Sequence, residues 1–524
     1  MDAPLSPPSP IPAPPSGCPG MLRIVAARDG GICRVRLPGG ALSAAQARAI
    51  ATASERFGSG VLELTNRSNL QLRGIAPAHY AALPAALRAA GLGAATPGAD
   101  EVRNVMLSPA AGIDRGALFD TRALGRAVLM RLEQAFAASD AGVPSLSPKF
   151  SVQIDGGETL AMADHHHDIW LSALAPAETA QTADLAQTTP ISDEPTAWLG
   201  IGLAGSPPLR PADAGALAAV SAAQAPALLI ALIALFLERR RPGETRMRHL
   251  LLRHPAAPLL ADAQARAAVT LRRGPAIAAA RRPPADATAR FGAVPQCATP
   301  DDPTAARRHV GAQAPLGRLD PMQLRALAGL AERHGDGTLR LTPWQGVLLP
   351  HVDGAAEAVA AVTAGLRDAG LIGSADAPLG ALLACAGAPG CAKGHADTKA
   401  DARRLAAGLP LPVAVHLSGC DRGCAAGHTT PYTLVAVPGE RYDLYDARDT
   451  AGPTHMPPAG PVERVSGTTV SPPGAGAPGA PGAPGTPARD FGRRVATDLT
   501  LDEAGRRIAA AAVSPIAFHS TAHA

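Results

Sequence analysis

Four cysteines in the C-terminal half have the type and spacing that most clearly indicate chemistry. Cys385 and Cys391 have five residues between them, and Cys420 and Cys424 have three. Four thiolates can hold a 4Fe–4S cluster, and the Gly, Ala and Pro residues between them let backbone N–H groups approach its sulfurs. Structural zinc sites favour two to four residues between paired ligands, so the first spacing favours the cluster over zinc. Four buried free thiols are the remaining alternative.

A cationic segment in the N-terminal part suggests a binding surface. Arg67, Asn69, Gln71 and Arg73 occur at alternate positions. On a strand they would share one face, because successive side chains point to opposite sides. Such a face suits a ligand that carries carboxylates, which guanidinium groups bind in bidentate fashion. The alternative is an ordinary solvated strand face.

Composition limits the class of protein. A chain of 524 residues predicts two to four domains, and 47% hydrophobic with 3% aromatic residues predicts an aliphatic core. The net charge of +4 does not suggest nucleic-acid binding. We see no signal peptide, and the longest apolar run, 227–237, is too short to span a bilayer and predicts a buried helix. We therefore expect a cytoplasmic protein without a membrane partner, which suits reduced thiolates.

Hydrophobic periodicity predicts a small α+β module near the N-terminus. Residues 21–37 read as two strands, 42–57 as a helix with Ser43 as its N-cap, and 61–72 as a further strand.

A similar unit follows much later in the chain. It contains a strand at 316–319, a helix at 321–334 and a strand at 338–349. Two units of the same order predict an internal duplication. Chance similarity of two helix–strand units is the alternative.

The cysteine spacing, Cys-x5-Cys followed by Cys-x3-Cys, resembles the cluster signature of the nitrite and sulfite reductase superfamily. The resemblance implies a 4Fe–4S cluster beside the iron tetrapyrrole sirohaem, with Cys424 as the bridge. It also implies an α+β fold, a duplicated arrangement of ferredoxin-like and α/β modules with pseudo-twofold symmetry.

Further segments resemble motifs of the same superfamily and imply residues that bind the tetrapyrrole or its substrate. They contain Arg67, Arg103 with Asn104, and Lys149. We add Arg73 to this set because of its charge. Two departures stand out: Ser151 replaces a second lysine of sulfite reductases, and Trp344 replaces a polar residue.

A narrower resemblance, to the precorrin-3B synthase family, accounts for these departures. It is carried by the segments 17–20, 28–40, 316–320, 341–345 and 416–425. It implies an oxygen-dependent monooxygenase of cobalamin biosynthesis in which the tetrapyrrole, precorrin-3A, is the substrate. The enzyme would hydroxylate the meso carbon between rings A and D and close a lactone. The resemblance also implies a mononuclear non-haem iron beside the cluster.

No Gly-x-Gly-x-x-Gly motif follows a predicted strand, so we expect electrons from NADH to arrive through a separate reductase. Two alternatives remain: a sirohaem-dependent nitrite or sulfite reductase, and a non-catalytic iron–sulfur electron-transfer protein. An electron-transfer protein would not explain the cationic motifs.

Histidines offer ligands for a second iron, and the sequence does not choose among them. His395 and His428 follow the two cysteine pairs. The run from Asp164 to Asp168 contains the elements of a facial triad, although adjacent residues on a hairpin point to opposite sides.

The domain boundaries that we expect are as follows. They are a disordered tail (1–19), a ferredoxin-like half-domain (20–80), a tetrapyrrole-binding α/β domain (81–177), a linker (178–198), a helical remainder of the first half (199–300), a second ferredoxin-like half-domain (301–375), a cluster domain (376–450), a Pro/Gly-rich linker (451–490) and a C-terminal tail (491–524).

Overall fold

The described residues form four β-sheets, which are two pairs of equivalent sheets. The computed structural model describes residues 18–137, 146–163, 165–175, 197–297, 306–448 and 491–513. We call residues 18–92 and 292–372 the first and second half-units, and residues 97–279 and 378–513 the first and second α/β units.

The secondary-structure elements are numbered in chain order. The first half-unit contains β1 (Val25–Ala27), β2 (Gly30–Val35), β3 (Ala41–Ser43), α1 (Ala44–Phe57), β4 (Leu62–Leu64), β5 (Leu70–Ile75) and α2 (Ala82–Ala89). The first α/β unit contains α3 (Pro97–Glu101), β6 (Val105–Met106), α4 (Arg122–Phe136), β7 (Val152–Asp155), β8 (His167–Ser172), β9 (Trp198–Gly205), β10 (Ala218–Ser221), α5 (Ala225–Arg239), α6 (Met247–Leu251), α7 (Ala256–Ala267), β11 (Leu271–Arg272) and α8 (Pro275–Ala279). The second half-unit contains β12 (Gly292–Pro295), β13 (Arg307–Gln313), β14 (Arg318–Leu319), α9 (Pro321–His334), β15 (Thr338–Leu341), β16 (Gly346–Asp353) and α10 (Ala356–Asp368). The second α/β unit contains β17 (Leu382–Ala384), α11 (Gly387–Gly390), α12 (Thr398–Gly408), β18 (Val415–Ser418), β19 (Tyr432–Val437), β20 (Arg441–Asp446), β21 (Arg493–Leu499) and α13 (Leu501–Val513). Short 3-10 helices lie at Pro38–Gly40, Pro77–His79, Ala287–Arg290, Pro315–Gly317 and Pro378–Ala381.

The two half-units exchange a strand. β14 of the second half-unit completes the sheet β1-β2-β5-β4-β14, and β3 of the first completes β12-β13-β16-β15-β3. The apolar faces of both sheets, with α1 and α9 between them, form one continuous core. The half-units are therefore one folding unit with pseudo-twofold symmetry, as the duplication predicted.

Local sequence signals explain why the two helices begin alike. Ser43 caps α1 and Asp320 caps α9, each in a capping box with a glutamine three residues later, Gln46 and Gln323. A capping box satisfies two N–H groups that the first helical turn leaves unpaired. The N-cap predicted at Ser43 is confirmed.

The sequence predicted a single strand at 61–72 and another at 338–349. Both predictions are wrong, because each segment forms a hairpin of two strands. The chain turns at 65–69 and again at 342–346, with Ser68 and Gln345 at φ values of 57° and 61°. In both turns a threonine hydroxyl, of Thr65 or Thr342, accepts the N–H four residues on, at 3.1 and 3.0 Å. Arg67 and Arg73 therefore do not share a strand face.

The two α/β units also repeat each other. Each begins with three parallel strands, β6-β7-β8 or β17-β18-β19, and continues with antiparallel strands. In the first unit α4 and α5 cover the sheet, and in the second α12 and α13 pack against the corresponding strands. α5 contains the apolar run 227–237 and is largely buried, as predicted.

Two predicted segments have a different structure. The remainder at 199–300 is not only helical, because it supplies β9, β10 and β11 to the first α/β sheet. The C-terminal tail is wrong for its described part: β21 pairs with β20, and Leu499, Leu501 and Ile508 lie in the core of the second α/β unit. The other tail and linker predictions fall on 1–17, 178–196 and 451–490, which lie outside the described residues.

In the described parts of the chain, no helix is both long enough and apolar enough to cross a membrane.

We predict that Ile508→Ala destabilises the second α/β unit. Ile508 is completely buried on α13, so the truncation should lower the free energy of unfolding by about 2–5 kcal/mol. The measurement is thermal or denaturant unfolding. Val495→Ala is the matched control, because Val495 on β21 is 37% exposed. Equal stability of the two variants would mean that α13 is a dispensable tail after all.

Candidate functional site

The four cysteines predicted as cluster ligands lie at one edge of the second α/β sheet. Cys385 directly follows β17, and Cys420 follows the neighbouring strand β18 after one glycine. β17 and β18 are parallel, so their carboxyl ends meet at the same edge. Cys391 ends the short helix α11, and Cys424 lies on the loop after Cys420.

Backbone groups approach the first cysteine closely. The Gly419 N–H donates to Cys385 Sγ at 3.1 Å, and His395 N donates to the Gly419 carbonyl at 2.9 Å, which joins the two cysteine loops. A Cβ on Gly419 would lie 3.3 Å from Cys385 Sγ and within 3.4 Å of the Cα atoms of Gly394 and Gly387. These three glycines leave room for a sulfur-rich group that bulkier residues would fill.

The thiols repel one another's ionised forms. Burial, and then the charges of Cys385 and Cys420, raise the pKa of Cys424 to about 11. Burial also raises the pKa of Cys420, with Cys385 and Cys391 adding to it. Iron would supply the positive charge that four neighbouring thiolates need. The donor set and its cradle therefore fit a 4Fe–4S cluster, which would be held by these four cysteines.

A group of four arginines, Arg34, Arg36, Arg67 and Arg246, lies near the last cysteine, and we call this group the cationic pocket. The hairpin turn that carries Arg67 contacts the loop after Cys424, because Asn66 Nδ2 donates to the Ala425 carbonyl at 3.4 Å. The charges of Arg67 and Cys424 both act on the pKa of Arg34, which lies on β2. Burial, and then the charge of Arg36, lower the pKa of Arg34 to about 10.

Among the described residues, Arg67 and Arg34 are the two arginines of this group that form no ion pair with a carboxylate. Within the described residues, the only hydrogen bond of Arg67 is made by its backbone N–H, to Thr65 Oγ1 at 3.3 Å. The Arg34 guanidinium donates to the amide oxygen of Gln71 at 2.8 and 3.1 Å. Burial, and then the charge of Arg246, lower the pKa of Arg67 to about 10. Such a pair favours an anionic ligand, because an anion would relieve the repulsion.

Two further arginines of the pocket are already paired. Arg36 forms an ion pair with Asp100 at 3.4 Å, and Arg246 donates to both oxygens of Asp168 at 2.9 and 3.0 Å. Because they are already paired, they are less suited to bind a ligand than Arg67 and Arg34.

Three of the other predicted binding residues have partners or surroundings of their own, and their role in binding stays a prediction. Arg103 pairs with Glu133 on α4. Asn104 donates to the carbonyl of Phe150 at 2.8 Å and so holds the segment around Lys149 in place. The Lys149 side chain is exposed. The sequence motif identifies Arg103 and Asn104, but not their partners. Helix α4 supplies the partner of Arg103, and the segment around Lys149 supplies that of Asn104.

Arg73 belongs to a buried ionic cluster instead of the pocket. Its guanidinium donates to Asp29 at 2.8 Å and to Glu63 at 3.1 Å. Glu63 also pairs with Arg318 at 3.1 Å and with Lys399 at 3.8 Å. Burial would raise the pKa of Glu63, but Lys399, Arg73 and Arg318 outweigh it and lower that pKa.

This ionic cluster holds the first cysteine loop. Arg73 Nη2 donates to the Gly390 carbonyl at 2.9 Å, next to Cys391. Lys399 Nζ donates to the Ala384 carbonyl at 3.1 Å, next to Cys385. Burial lowers the pKa of Lys399 to about 8. Removing one member of such a buried set costs about 3–5 kcal/mol, because its partners stay charged and buried.

The described part of the histidine run, 165–168, does not form a facial triad. Asp168 is committed to Arg246 and to the N–H groups of Ser151 and Met247, at 2.9 and 2.7 Å. His395 is exposed, whereas His428 lies with its ring centroid 5.6 Å from that of His165. Among the described residues no three His, Cys, Asp or Glu side chains converge on a position for a single metal ion. Asp164 lies outside the described residues.

Sequence reasoning missed Arg34 and Glu63. Arg34 lies in a segment that carries the family resemblance, and its position near Arg67 and Cys424 depends on the sheet. Glu63 carried a signal, since an isolated acid on an apolar strand needs a partner when buried.

Comparisons with known protein families agree with this arrangement. The nitrite/sulfite reductase ferredoxin-like half domain matches residues 26–90 and 302–368, the two half-units. The nitrite and sulphite reductase 4Fe–4S domain matches residues 98–270, within the first α/β unit. Together these matches cover more than half of the chain. The chain belongs to the nitrite and sulfite reductase superfamily.

Curated relatives within the superfamily divide between two activities. A ferredoxin–nitrite reductase from Synechococcus elongatus is 29% identical over 410 residues, which is 75% of this chain and 73% of that protein. A precorrin-3B synthase from Sinorhizobium sp is 28% identical over 430 residues, 80% of each chain. The solved structure of the NirA protein of Mycobacterium tuberculosis matches with a TM-score of 0.58 at 20% identity, covering 80% of this chain and 74% of that one.

Superfamily membership confirms the duplicated α+β fold and supports an iron–sulfur cluster in an oxidoreductase. The 4Fe–4S domain matches the first α/β unit, which contains no cysteine, whereas the four clustered cysteines lie in the second. The two α/β units are structural repeats. The four cysteines lie at an edge of the sheet of the second unit, which repeats the sheet of the first.

We predict that Cys424→Ser loses most of the bound iron and sulfide. Metal binding couples to folding, so the second α/β unit should also unfold at a lower temperature. Iron and acid-labile sulfide assays on anaerobically purified protein measure the loss. Cys297→Ser is the control, because Cys297 lies outside both cysteine loops and should keep full iron. Full iron and sulfide in Cys424→Ser would contradict the ligand assignment.

Proposed function

We propose that this protein is a precorrin-3B synthase, an oxygen-dependent monooxygenase that binds its tetrapyrrole as substrate. The observation that carries the proposal is the pair Arg67 and Arg34 beside the Cys424 loop, which form no ion pair with a carboxylate in the part of the chain that the structure describes. Precorrins bear several acetate and propionate groups. Carboxylates of this kind pair with guanidinium groups through two parallel hydrogen bonds.

The neighbouring residues favour a tetrapyrrole substrate over a small anion as substrate. Reduction of nitrite or sulfite calls for several cations aimed at the anion. The positions that resemble such cations in reductases are used differently here. Arg103 pairs with Glu133, and Ser151 donates its N–H to Asp168 and its hydroxyl contacts His167 Nδ1 at 3.1 Å.

The overall reaction balances with one dioxygen per precorrin. One oxygen atom enters the substrate as the new hydroxyl on the meso carbon, and the other leaves as water. Two electrons and two protons are consumed, and the ring-A acetate closes the lactone. A 4Fe–4S cluster supplies electrons one at a time when it is bound. We propose that the electrons originate from NADH and reach the protein through a separate reductase.

Within this scheme the residues of the chain bind and orient. Arg67 and Arg34 hold carboxylates of the macrocycle, and Arg36 and Arg246 stay paired with Asp100 and Asp168 and so do not compete for them. The Asn66 contact keeps the Arg67 turn against the Cys424 loop, so the bound ring lies beside the cysteines. We leave a mononuclear iron unassigned, since its ligands do not converge in the described residues.

A sirohaem-dependent nitrite reductase is the second candidate. The similarity to the ferredoxin–nitrite reductases favours it as strongly as the similarity to the synthase favours the first. In that case the same arginines would hold the carboxylates of a resident sirohaem.

We predict that Arg67→Ala weakens precorrin-3A binding roughly ten- to a hundredfold, since losing one charge-assisted hydrogen-bond donor costs about 1.5–3 kcal/mol. Arg67→Lys should recover part of the affinity, because lysine keeps the charge without the planar fork. The measurement is an anaerobic titration followed by absorption. Arg103→Ala is the control and should bind as the unmodified protein does, because its partner is Glu133.

Two results would contradict the proposal. One is unchanged affinity in Arg67→Ala. The other is a stoichiometric sirohaem band in the absorption spectrum of the purified protein, which would make the tetrapyrrole a cofactor and favour the reductase.

A further inference from the structure

Three histidines lie close together where the two α/β units meet, next to the cationic pocket. The ring centroid of His165 is 5.6 Å from that of His428 and 6.5 Å from that of His167. His165 and His167 are 4% and 2% exposed, and His428 is half-buried. The proposed binding residues include none of them.

The inner end of this row is held in place and faces the pocket. His167 begins β8, and its Nδ1 hydrogen bonds with Ser151 Oγ at 3.1 Å. Its Nε2 is buried and has no hydrogen-bond partner among the described residues. Burial, and then the charge of Arg67, lower the pKa of His167 well below its usual value. The ring is therefore neutral, and it lies near the cation that is expected to hold the substrate.

The outer end of the row leads to the surface. His428 belongs to the loop after Cys424, and its neighbours Gly427 and Thr429 are exposed. His165 lies tightly against this loop, because a Cβ on Gly427 would be 2.2 Å from His165 Nε2. The middle ring thus bridges the first α/β unit and the cysteine-bearing loop of the second.

We propose that His428, His165 and His167 form a proton relay from the surface to the cationic pocket. The proposal rests on the proposed function in one respect, that a reaction in the pocket consumes protons. Two imidazoles joined by a hydrogen bond have ring centroids about 5 Å apart, so the first step needs a small rotation and the second a rotation or one bridging water. Each ring accepts a proton on one nitrogen and releases one from the other, so no electrons move and the ring is regenerated.

Proton supply matters because the pocket itself provides few donors of protons. Its charged side chains are arginines, which do not release protons at neutral pH, and Asp168 is bound to Arg246. Imidazole is the side chain whose ordinary pKa suits transfer near neutrality. A relay of imidazole rings delivers the protons that the reduction of dioxygen requires, and each ring is regenerated after it passes a proton on.

The test is chemical rescue in the holoenzyme. His165→Gly removes the middle ring, and it should lower the single-turnover rate of precorrin-3A with dioxygen about 10²–10⁴-fold. Free imidazole should restore part of that rate. Cluster absorption and anaerobic precorrin-3A affinity should stay unchanged. His166→Gly, at the exposed neighbouring position, is the matched control and should keep its rate.

A second variant tests the relay independently, in case His165→Gly does not fold. Gly427→Ala keeps all three imidazoles but places a Cβ where His165 Nε2 lies, so it should slow the same step by displacing the ring. The relay is overturned if His165→Gly keeps its rate, if imidazole gives no rescue, or if the variant loses a bound metal ion that the unmodified protein holds. If the unmodified protein does not turn over precorrin-3A, the proposed function fails. The relay is then tested with nitrite, whose reduction also consumes protons.

Discussion

The structure depends on one buried carboxylate, that of Glu63. Three cations from three separate parts of the chain surround it: Arg73 from the same hairpin, Arg318 from the exchanged strand β14, and Lys399 from α12. A lone buried carboxylate would cost several kcal/mol, so this cluster is stable only when all its members are in place. Two of its cations also hold carbonyls next to Cys385 and Cys391. The hairpin that presents Arg67 to the pocket therefore also fixes the first cysteine pair.

Duplication explains the frame of the fold, and the two equivalent turns differ in one residue that matters for the proposed site. The turns at 65–69 and 342–346 have the same hydrogen bonds, but Arg67 in the first corresponds to Trp344 in the second. Trp344 packs against a small apolar cluster of the first α/β unit, with Arg290 5.8 Å from its ring. The second turn therefore carries an apolar ring, whereas the first carries a guanidinium for which the described residues supply no hydrogen-bond acceptor, and we propose that it binds an anionic ligand.

The sequence predicted what depends on local pattern and spacing. The α+β duplication, the helices 42–57 and 321–334 and the Ser43 cap follow from periodicity and capping, and the cysteines follow from spacing. Prediction from the sequence failed where contacts between distant parts of the chain determine the structure. Arg67 and Arg73 alternate as on a strand, but a threonine-capped turn separates them. The segment at 491–513 looked like a tail because its partner strand β20 lies more than forty residues away in sequence. Arg34 and His165 gain meaning only from residues that the fold brings to them.

We propose that the tetrapyrrole is a substrate that takes oxygen from dioxygen, and isotope labelling tests this most directly. The protein is purified anaerobically, reduced, loaded with precorrin-3A and mixed with ¹⁸O₂ for a single turnover, and the product is analysed by mass spectrometry. We expect one labelled oxygen atom in the product, with no label when ¹⁶O₂ is used in ¹⁸O-labelled water. An unlabelled precorrin, recovered from a protein that reduces nitrite with bound sirohaem, would contradict the account.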